Sequence, residues 1–258
     1  MEQEQLTKIL TFFNRGVARV QHLWDMLTQS DAGQALHLRS PVALTLMVWP
    51  MLWGFLYADN AAYAYLLPAV VLALLLKACS QVYDDFINRN IEGDEEHTQP
   101  PSLLVMGLLF FGSLWLALEI SPLTLFLTLL WMVMIAIYPY LFKITWWPQL
   151  YAGVAYGTWP VLIGQAAAQD MSFLSLLLMP AAFLWIVILE ILRAEQRKEQ
   201  DLEHGLKSVT LWLGDKSFSF VETSFAAAFV FFVLTGMGAG LGGLYYAPLM
   251  LGQFVLVK

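Results

Sequence analysis

The sequence is poor in charged residues and almost without cysteine. Only 13% of its 258 residues are Asp, Glu, Lys or Arg, and the formal net charge is −7. This negative balance argues against nucleic acid as a partner. The single cysteine, Cys79, excludes a disulfide framework within the chain and gives no metal-site spacing. No compact apolar stretch follows a basic start at the N-terminus, so we expect no signal peptide.

Apolar residues dominate the composition instead. They make up 59% of the chain, and the mean hydropathy is +0.64. About 20 apolar residues suffice for a helix to cross a bilayer core. The stretches 66–76, 102–118 and 123–136 contain no charged residue and do not alternate as barrel strands do. The sequence therefore predicts an all-α fold, a polytopic transmembrane helix bundle.

We predict about eight spanning segments from the lengths of the apolar stretches and the turn residues between them. Ser121-Pro122 and Gln169-Asp170 mark two of the junctions. The predicted spans are residues 41–58, 62–84, 102–120, 122–142, 148–168, 172–192, 217–238 and 242–257.

Residues 1–37 differ from the rest of the chain. Apolar residues recur there at helical spacing, with Lys8, Arg15 and Arg19 on other faces. This pattern predicts an amphipathic helix that lies on the membrane surface or is covered by protein. The predicted domain division is therefore an N-terminal amphipathic extension, 1–37, and a transmembrane domain, 38–258.

The positions of the basic residues indicate the orientation of the chain. With a cytoplasmic N-terminus, all Lys and Arg residues except Lys77 fall in segments on one side of the membrane. Lys77, inside the second span, lies within snorkelling reach of the same side. We expect a bacterial or mitochondrial inner membrane, with the N-terminus and the charged loops on the cytoplasmic or matrix side.

The first charged loop follows the second span, at residues 81–97. Asp84, Asn88 and Glu92 are spaced at i, i+4 and i+8, so they share one face if the helix continues through them. Asp85 lies beside them. Oxygen ligands at a membrane boundary suit Mg²⁺, which prefers one or two carboxylates together with substrate phosphates. A solvated helix end followed by an acidic loop explains the pattern as well.

The second charged loop follows the sixth span, at residues 190–208. Glu190 comes after a long apolar stretch and lies deeper than a loop carboxylate should. Arg193 and Arg197 stand at i+3 and i+7 from it, where a structural ion pair is the alternative to a functional role. A cavity shared by the two loops could hold a diphosphate through metal ions. Sequence spacing alone does not show that the loops meet.

Five short motifs occur in a fixed order along the chain. They are Pro41 ahead of Trp49-Pro50, Tyr138-Pro139 with Lys143, Pro148-Gln149-Leu150, Ala155-Tyr156-Gly157, and Gly205-Leu206-Lys207-Ser208. Together they resemble the UbiA family of intramembrane prenyltransferases, and within it the 4-hydroxybenzoate polyprenyltransferase branch. The resemblance covers residues 39–257.

The resemblance implies a helical bundle with a central cavity that opens into the lipid. It implies Mg²⁺-assisted transfer of a prenyl group from a polyprenyl diphosphate to an aromatic ring such as 4-hydroxybenzoate, in ubiquinone biosynthesis. The metal would neutralise the leaving diphosphate, and Trp and Tyr rings would stabilise the allylic cation.

The resemblance also implies which residues form the site. The expected Mg²⁺ ligands are Asp84, Asp85, Glu92, Glu195 and Asp201. The expected substrate-binding residues are Asp84, Asn88, Arg89, Lys143, Glu190 and Arg193. The expected catalytic residues are Asp85, Lys143 and Arg197.

The chain departs from the family pattern at both charged loops. Asn88 stands where the family has a carboxylate, although Asp84 restores an acidic group one turn earlier. Arg197 stands where a metal-ligating Asp is expected, and a guanidinium repels Mg²⁺ instead of ligating it. The family's basic stretch after the first motif is replaced by residues 96–101.

These departures leave two classes of function open. In the first, the protein is an active prenyltransferase in which Arg197 and Lys143 bind the diphosphate directly. In the second, it is a catalytically lapsed homologue that serves as a structural or quinone-binding subunit of a membrane complex. A terpene cyclase of the same family is a weaker third possibility.

Overall fold

A computed structural model describes residues 41–87, 103–243 and 245–246 of the chain. The predicted amphipathic extension and most of the predicted eighth span lie outside the described residues, as does most of the first charged loop. The all-α prediction is confirmed for the described residues. Their α-helices are α1 Pro41–Leu56, α2 Leu66–Ile87, α3 Leu103–Ile120, α4 Pro122–Ile144, α5 Pro148–Ala152, α6 Trp159–Ala168, α7 Ser175–Gln196, α8 Lys198–Glu203, α9 Val209–Leu213 and α10 Ser217–Gly238.

Within the described ranges, four helical stretches are long and apolar enough to cross a membrane. They are Tyr63–Asp84, Pro122–Ile144, Ser175–Gln196 and Val209–Gly238, and two shorter apolar helices are Met47–Leu56 and Leu104–Ile120. The predicted fifth span, residues 148–168, is helical throughout, and the π-helix Gly153–Thr158 joins α5 to α6 within it. The count of eight spans stays a prediction.

One face of α3 has the composition of a lipid-facing surface. Leu104, Leu108, Phe111 and Trp115 follow one another at helical spacing, and each is 66–73% exposed. A continuous apolar stripe of this kind is unstable against water and matches the hydrocarbon core of a bilayer. The protein is therefore an integral membrane protein.

The helix ends at the predicted turns follow ordinary capping rules. The Ser121 side chain accepts a hydrogen bond of 3.0 Å from the Thr124 backbone N–H, and Pro122 takes the first helical position of α4. Gln169 ends α6 with a positive φ of 60°. Its side-chain amide donates to the Ile120 carbonyl oxygen over 3.0 Å, which fixes the end of α6 against the end of α3.

Glycines let α1 and α6 approach each other closely. A Cβ atom on Gly54 would overlap the Val161 carbonyl oxygen, and one on Gly164 would overlap the Met51 carbonyl oxygen. Small residues at such contacts increase van der Waals packing, the main attraction between helices in lipid. This contact helps to hold α1 beside the centre of the bundle.

Candidate functional site

The charged ends of α2 and α7 converge on Lys77. Lys77 precedes Asp84 by seven residues on α2, so both lie on the same helical face. The charges of Asp84, Glu190 and Arg193 all act on the Lys77 ammonium group. Glu190 and Arg193 belong to α7, so both charged helix ends lie close enough to Lys77 for their charges to act on it.

Tyr138, on a third helix, α4, lies near some of the same charged groups. It is buried, and the charges of Asp84, Glu190 and Arg197 act on its hydroxyl group. The charged ends of α2 and α7 therefore lie near the same buried tyrosine. Sequence spacing alone could not establish this proximity.

The lysine at the centre of this site is held inside the bundle. Lys77 is 9% exposed, and its Nζ atom lies 4.8 Å from the centroid of the Tyr156 ring. Ser80, one turn further along α2, lies near the Tyr156 hydroxyl group, and its own hydroxyl donates to the Lys77 carbonyl oxygen over 2.9 Å. The Lys77 side chain packs inside the bundle over the Tyr156 ring, although the sequence placed it within snorkelling reach of the membrane surface.

The π-helix places Tyr156 between α2 and α7. A Cβ atom on Gly153 would lie 2.6 Å from Val187 Cγ2, and one on Gly157 would lie 2.5 Å from the Ala182 carbonyl oxygen. Glycine at both positions thus allows this segment to press against α7. Wider π turns are frequent at functional sites, and here the turn carries an aromatic ring to the buried lysine.

Aromatic rings continue from Tyr156 along α4. Tyr138 stacks on Tyr151 with ring centroids 6.2 Å apart and 9° between the planes. Tyr156 meets Tyr138 and Trp131 edge to face at 6.0 and 6.2 Å. The Trp131 indole N–H donates to the Ala155 carbonyl oxygen over 2.7 Å, which fixes the tryptophan against the π-helix. These rings offer electron-rich faces to a cation in the site.

Ion pairs occupy the end of α7. Arg193 Nη1 lies 2.7 Å from Glu190 Oε1, and Lys198 Nζ lies 2.8 Å from Glu195 Oε1. The ion pair between Glu190 and Arg193 that the spacing allowed is therefore present. The sequence spacing also allowed a pair between Glu190 and Arg197, but Glu190 pairs with Arg193 in the described part of the chain.

Asp201 lies in α8, just after the end of α7. It is 6% exposed, and burial raises the pKa of its carboxyl group, whereas the charges of Arg197 and His204 act in the opposite direction. Its backbone N–H donates to the Arg197 carbonyl oxygen over 2.9 Å. The short helix thus holds a buried carboxyl next to an exposed arginine.

The fit of this region to a metal ion is partial. The second oxygens of Glu195 and Asp201, Oε2 and Oδ2, are buried without a hydrogen-bond partner, which suits an unfilled ligand position. Within the described ranges, however, no three His, Cys, Asp or Glu residues are grouped so as to hold a metal ion. The Asp85 side chain and residues Asn88, Arg89 and Glu92 lie outside the described part, so their expected roles stay predictions.

The predicted catalytic lysine occupies a different environment. Lys143 is in the last turn of α4 and is exposed. In the described part of the chain it is not among the charged neighbours of Lys77 or Tyr138. Its predicted role in diphosphate binding therefore gains no support from these contacts.

Sequence reasoning missed the role of Lys77, Ser80 and Tyr156 as neighbours within the site. The seven-residue separation of Lys77 and Asp84 places them on one face of α2 and could have identified the lysine. No comparable pattern exists for Tyr156, because its position depends on the π-helix.

Comparisons with a family model and with individual relatives identify the same family. A model of the UbiA prenyltransferase family matches residues 47–258. The 4-hydroxybenzoate octaprenyltransferase of Photobacterium profundum is 29% identical over 231 residues, which cover 84% of this chain and 80% of the relative.

Solved structures of archaeal proteins share the fold. A UbiA homologue from Aeropyrum pernix K1 superposes with a TM-score of 0.69 at 21% identity, over 83% of this chain and 86% of that one. A UbiA homologue from Archaeoglobus fulgidus bound to DMAPP and Mg²⁺ gives 0.66 at 18% identity, over 88% and 86% of the two chains.

Proposed function

The chain belongs to the UbiA prenyltransferase family, and we propose that it transfers a polyprenyl group from its diphosphate to an aromatic acceptor of the 4-hydroxybenzoate type. This reaction is a step of quinone biosynthesis. Relatives named 4-hydroxybenzoate octaprenyltransferase support the assignment. The observation that carries it is the buried Lys77, which lies 4.8 Å from the Tyr156 ring centroid and within the electrostatic reach of Asp84 on α2 and Glu190 on α7.

We propose that the diphosphate binds between the ends of α2 and α7. Mg²⁺ bound there would neutralise the leaving diphosphate. On the α2 side, the proposed metal ligands are Asp84, Asp85 and Glu92. On the α7–α8 side they are Glu195 and Asp201, and the second carboxylate oxygen of each is buried without a hydrogen-bond partner. Arg193 and Arg197 supply N–H donors to the phosphate oxygens, with Lys143, Asn88, Arg89 and Glu190 in the proposed binding set.

Lys77 is the proposed binding group for the acceptor. An acceptor of the 4-hydroxybenzoate type carries a carboxylate para to the hydroxyl group that directs alkylation of the ring. A buried ammonium with three N–H donors matches that carboxylate. The Tyr156 ring beneath Lys77 holds the ammonium group in place for this contact. Lys77 thereby orients the acceptor towards the prenyl group.

Buried aromatic rings next to the site would stabilise the transition state of the proposed reaction. Departure of the diphosphate leaves an allylic cation, and ring faces stabilise such cations by about 2 kcal/mol or more when they are shielded from water. The rings of Tyr138, Tyr156 and Trp131 are buried. Tyr156 packs edge to face against both Tyr138 and Trp131. They also exclude water, which would otherwise capture the cation.

The orientation follows from the distribution of basic residues. We propose that the ends of α2 and α7 face the cytoplasm or the mitochondrial matrix in an inner membrane. Residues 1–37 form a separate amphipathic extension on the same side in this proposal.

A lapsed homologue is the second candidate, because the carboxylates of Glu190 and Glu195 are paired with cations of the chain itself. Such a protein would bind lipid or quinone, or support other membrane subunits, without catalysis. Purification from native membranes distinguishes the two. A lapsed subunit copurifies with its partners in fixed stoichiometry, whereas an enzyme is active alone.

The direct test is prenylation by the purified chain in lipid nanodiscs. Isotope-labelled 4-hydroxybenzoate, a polyprenyl diphosphate and Mg²⁺ should yield a prenylated product detected by mass spectrometry. Asp201→Asn should lower kcat/KM by about 10²-fold, the usual cost of removing one electrostatic group from an active site. Lys216→Met, which changes an exposed lysine of the turn Gly214–Lys216, is the matched control. Absence of product from the wild-type chain would refute the proposal.

A further inference from the structure

A cavity outside the candidate site lies between α1, α7 and the end of α10. Its volume is about 760 Å³, within the range of cavities that hold small molecules. Along α7 its lining extends from the N-cap Leu174 to Trp185. Leu178, which lines it, precedes Glu190 by 12 residues, or about 18 Å along the helix. The cavity therefore lies towards the opposite end of α7 from the site proposed for prenyl transfer.

Aromatic side chains form much of the wall of this cavity. Trp53 packs edge to face against Trp185, with ring centroids 6.4 Å apart, and against Phe232, with centroids 5.1 Å apart. Tyr57 and Tyr245 add two further rings to the lining. Contacts between aromatic rings contribute free energy beyond the burial of their area. The wall therefore favours a ligand that is itself a flat ring.

The charge of the cavity excludes the two substrates of the proposed reaction. Among the described residues that line it there is no Lys, Arg or His, and the charged residue is the exposed Asp59, just beyond the end of α1. A carboxylate repels an anion, and removing an anion from water without a partner is costly. A diphosphate or a benzoate is therefore disfavoured here, and the cavity suits an uncharged ligand.

Two tyrosine hydroxyl groups supply the polar part of the cavity. The Tyr57 hydroxyl lies near that of Tyr245. The Tyr245 hydroxyl donates to the Phe232 carbonyl oxygen over 2.9 Å, so its proton is engaged while its oxygen can still accept. A phenolic hydroxyl both donates and accepts. Tyr57 can therefore donate to a carbonyl oxygen on a bound ring, and both tyrosines can accept from a ring hydroxyl.

We propose that this cavity binds the ring of an isoprenoid quinone, whose tail extends into the surrounding lipid. The ring is flat and uncharged and carries oxygen atoms, which match the aromatic wall, the absence of a cation among the described lining residues and the two hydroxyl groups. The apolar tail favours the bilayer. This binding requires neither Mg²⁺ nor a diphosphate, so it is expected of an active enzyme and of a lapsed homologue alike.

The test titrates the full chain in phosphatidylcholine nanodiscs with a ubiquinone that carries two isoprene units. Quinone rings quench tryptophan fluorescence on contact, so wild type should show a saturable phase above the linear background from quinone dissolved in lipid. Tyr57→Phe should weaken the affinity by about 2- to 10-fold, the effect of losing one neutral hydrogen bond. Ala239→Trp, which places an indole at the lining, should remove the saturable phase. Tyr63→Phe, which changes a tyrosine that is 66% exposed, is the matched control and should leave the affinity unchanged.

Competition identifies the part of the ligand that binds. A wild-type chain without a saturable phase, or a phase that survives both cavity variants, would overturn the inference. Geraniol, a prenol with the same tail, should compete poorly; competition equal to that of the quinone would assign the cavity to the tail and overturn the role of the ring. Displacement by geranyl diphosphate would assign the cavity to the prenyl-transfer site and overturn the inference as well. Saturable quinone binding by a chain that shows no prenylation would refute the proposed function alone.

Discussion

Replacing Lys77 by methionine tests the acceptor site. Methionine keeps an unbranched side chain of similar length but removes the ammonium group that lies 4.8 Å from the Tyr156 ring centroid. If Lys77 holds the acceptor carboxylate, the change removes a buried interaction with a charged group. Such interactions contribute about 1.5–3 kcal/mol, so the acceptor KM should rise roughly 10- to 100-fold.

The assay is the initial rate of product formation as the two substrates are varied in turn. The KM for the polyprenyl diphosphate should change less than about threefold, because the carboxylates and arginines at the ends of α2 and α7 remain. Lys77→Arg keeps the cation and should retain most of the affinity for the acceptor. Lys216→Met again controls for removal of an exposed lysine.

Two results would refute this reasoning. An unchanged acceptor KM in Lys77→Met would show that the lysine does not bind the carboxylate. A tenfold rise in the diphosphate KM, with the acceptor KM unaffected, would assign Lys77 to the leaving group instead.

Two further predictions concern the packing that positions the site. Gly157→Val should lower the thermal midpoint in detergent, because its Cβ atom would lie 2.5 Å from the Ala182 carbonyl oxygen and overpacking costs about 1–3 kcal/mol; an unchanged midpoint would contradict the close packing. Gly107→Ala is the control, since no atom lies within 4 Å of that Cβ position. Trp131→Phe should destabilise by about 1–3 kcal/mol in chemical unfolding, because it leaves the Ala155 carbonyl oxygen without its 2.7 Å hydrogen bond; a neutral effect would mean that another donor replaces the indole.

The fold class was predictable from the sequence because a bilayer imposes a simple rule. Backbone groups must be paired within each spanning segment, so long apolar stretches become helices whatever they pack against. The turns at Ser121-Pro122 and Gln169-Asp170 were predictable for a similar local reason, since capping and turn chemistry act within a few residues.

The proximity of the charged ends of α2 and α7 to one buried lysine was not predictable from spacing. It depends on how α2, α4 and α7 pack, and the packing of α7 depends on close contacts at Gly153 and Gly157. The family resemblance identified the charged segments, and motif order alone identified the family that the comparisons confirm. Neither could assign Lys77 to the interior, because a lysine near a span end reaches the surface in most helices.

The π-helix is the clearest limit of sequence reasoning in this chain. The stretch 148–168 is apolar enough to predict one continuous span, but Gly153–Thr158 adopts a wider turn. The insertion depends on packing against α7, which no local propensity encodes. It is also the element that brings Tyr156 to Lys77.

The central claim is that the ends of α2 and α7 form one site, and a double-mutant cycle tests it most directly. Lys77→Met, Glu190→Gln and the double variant are compared by kcat/KM for prenylation of 4-hydroxybenzoate. Because the charge of Glu190 acts on Lys77, the two effects should be non-additive by about 1 kcal/mol or more, as for residues in one charged network. Additivity to within about 0.5 kcal/mol, the behaviour of independent sites, would contradict the claim.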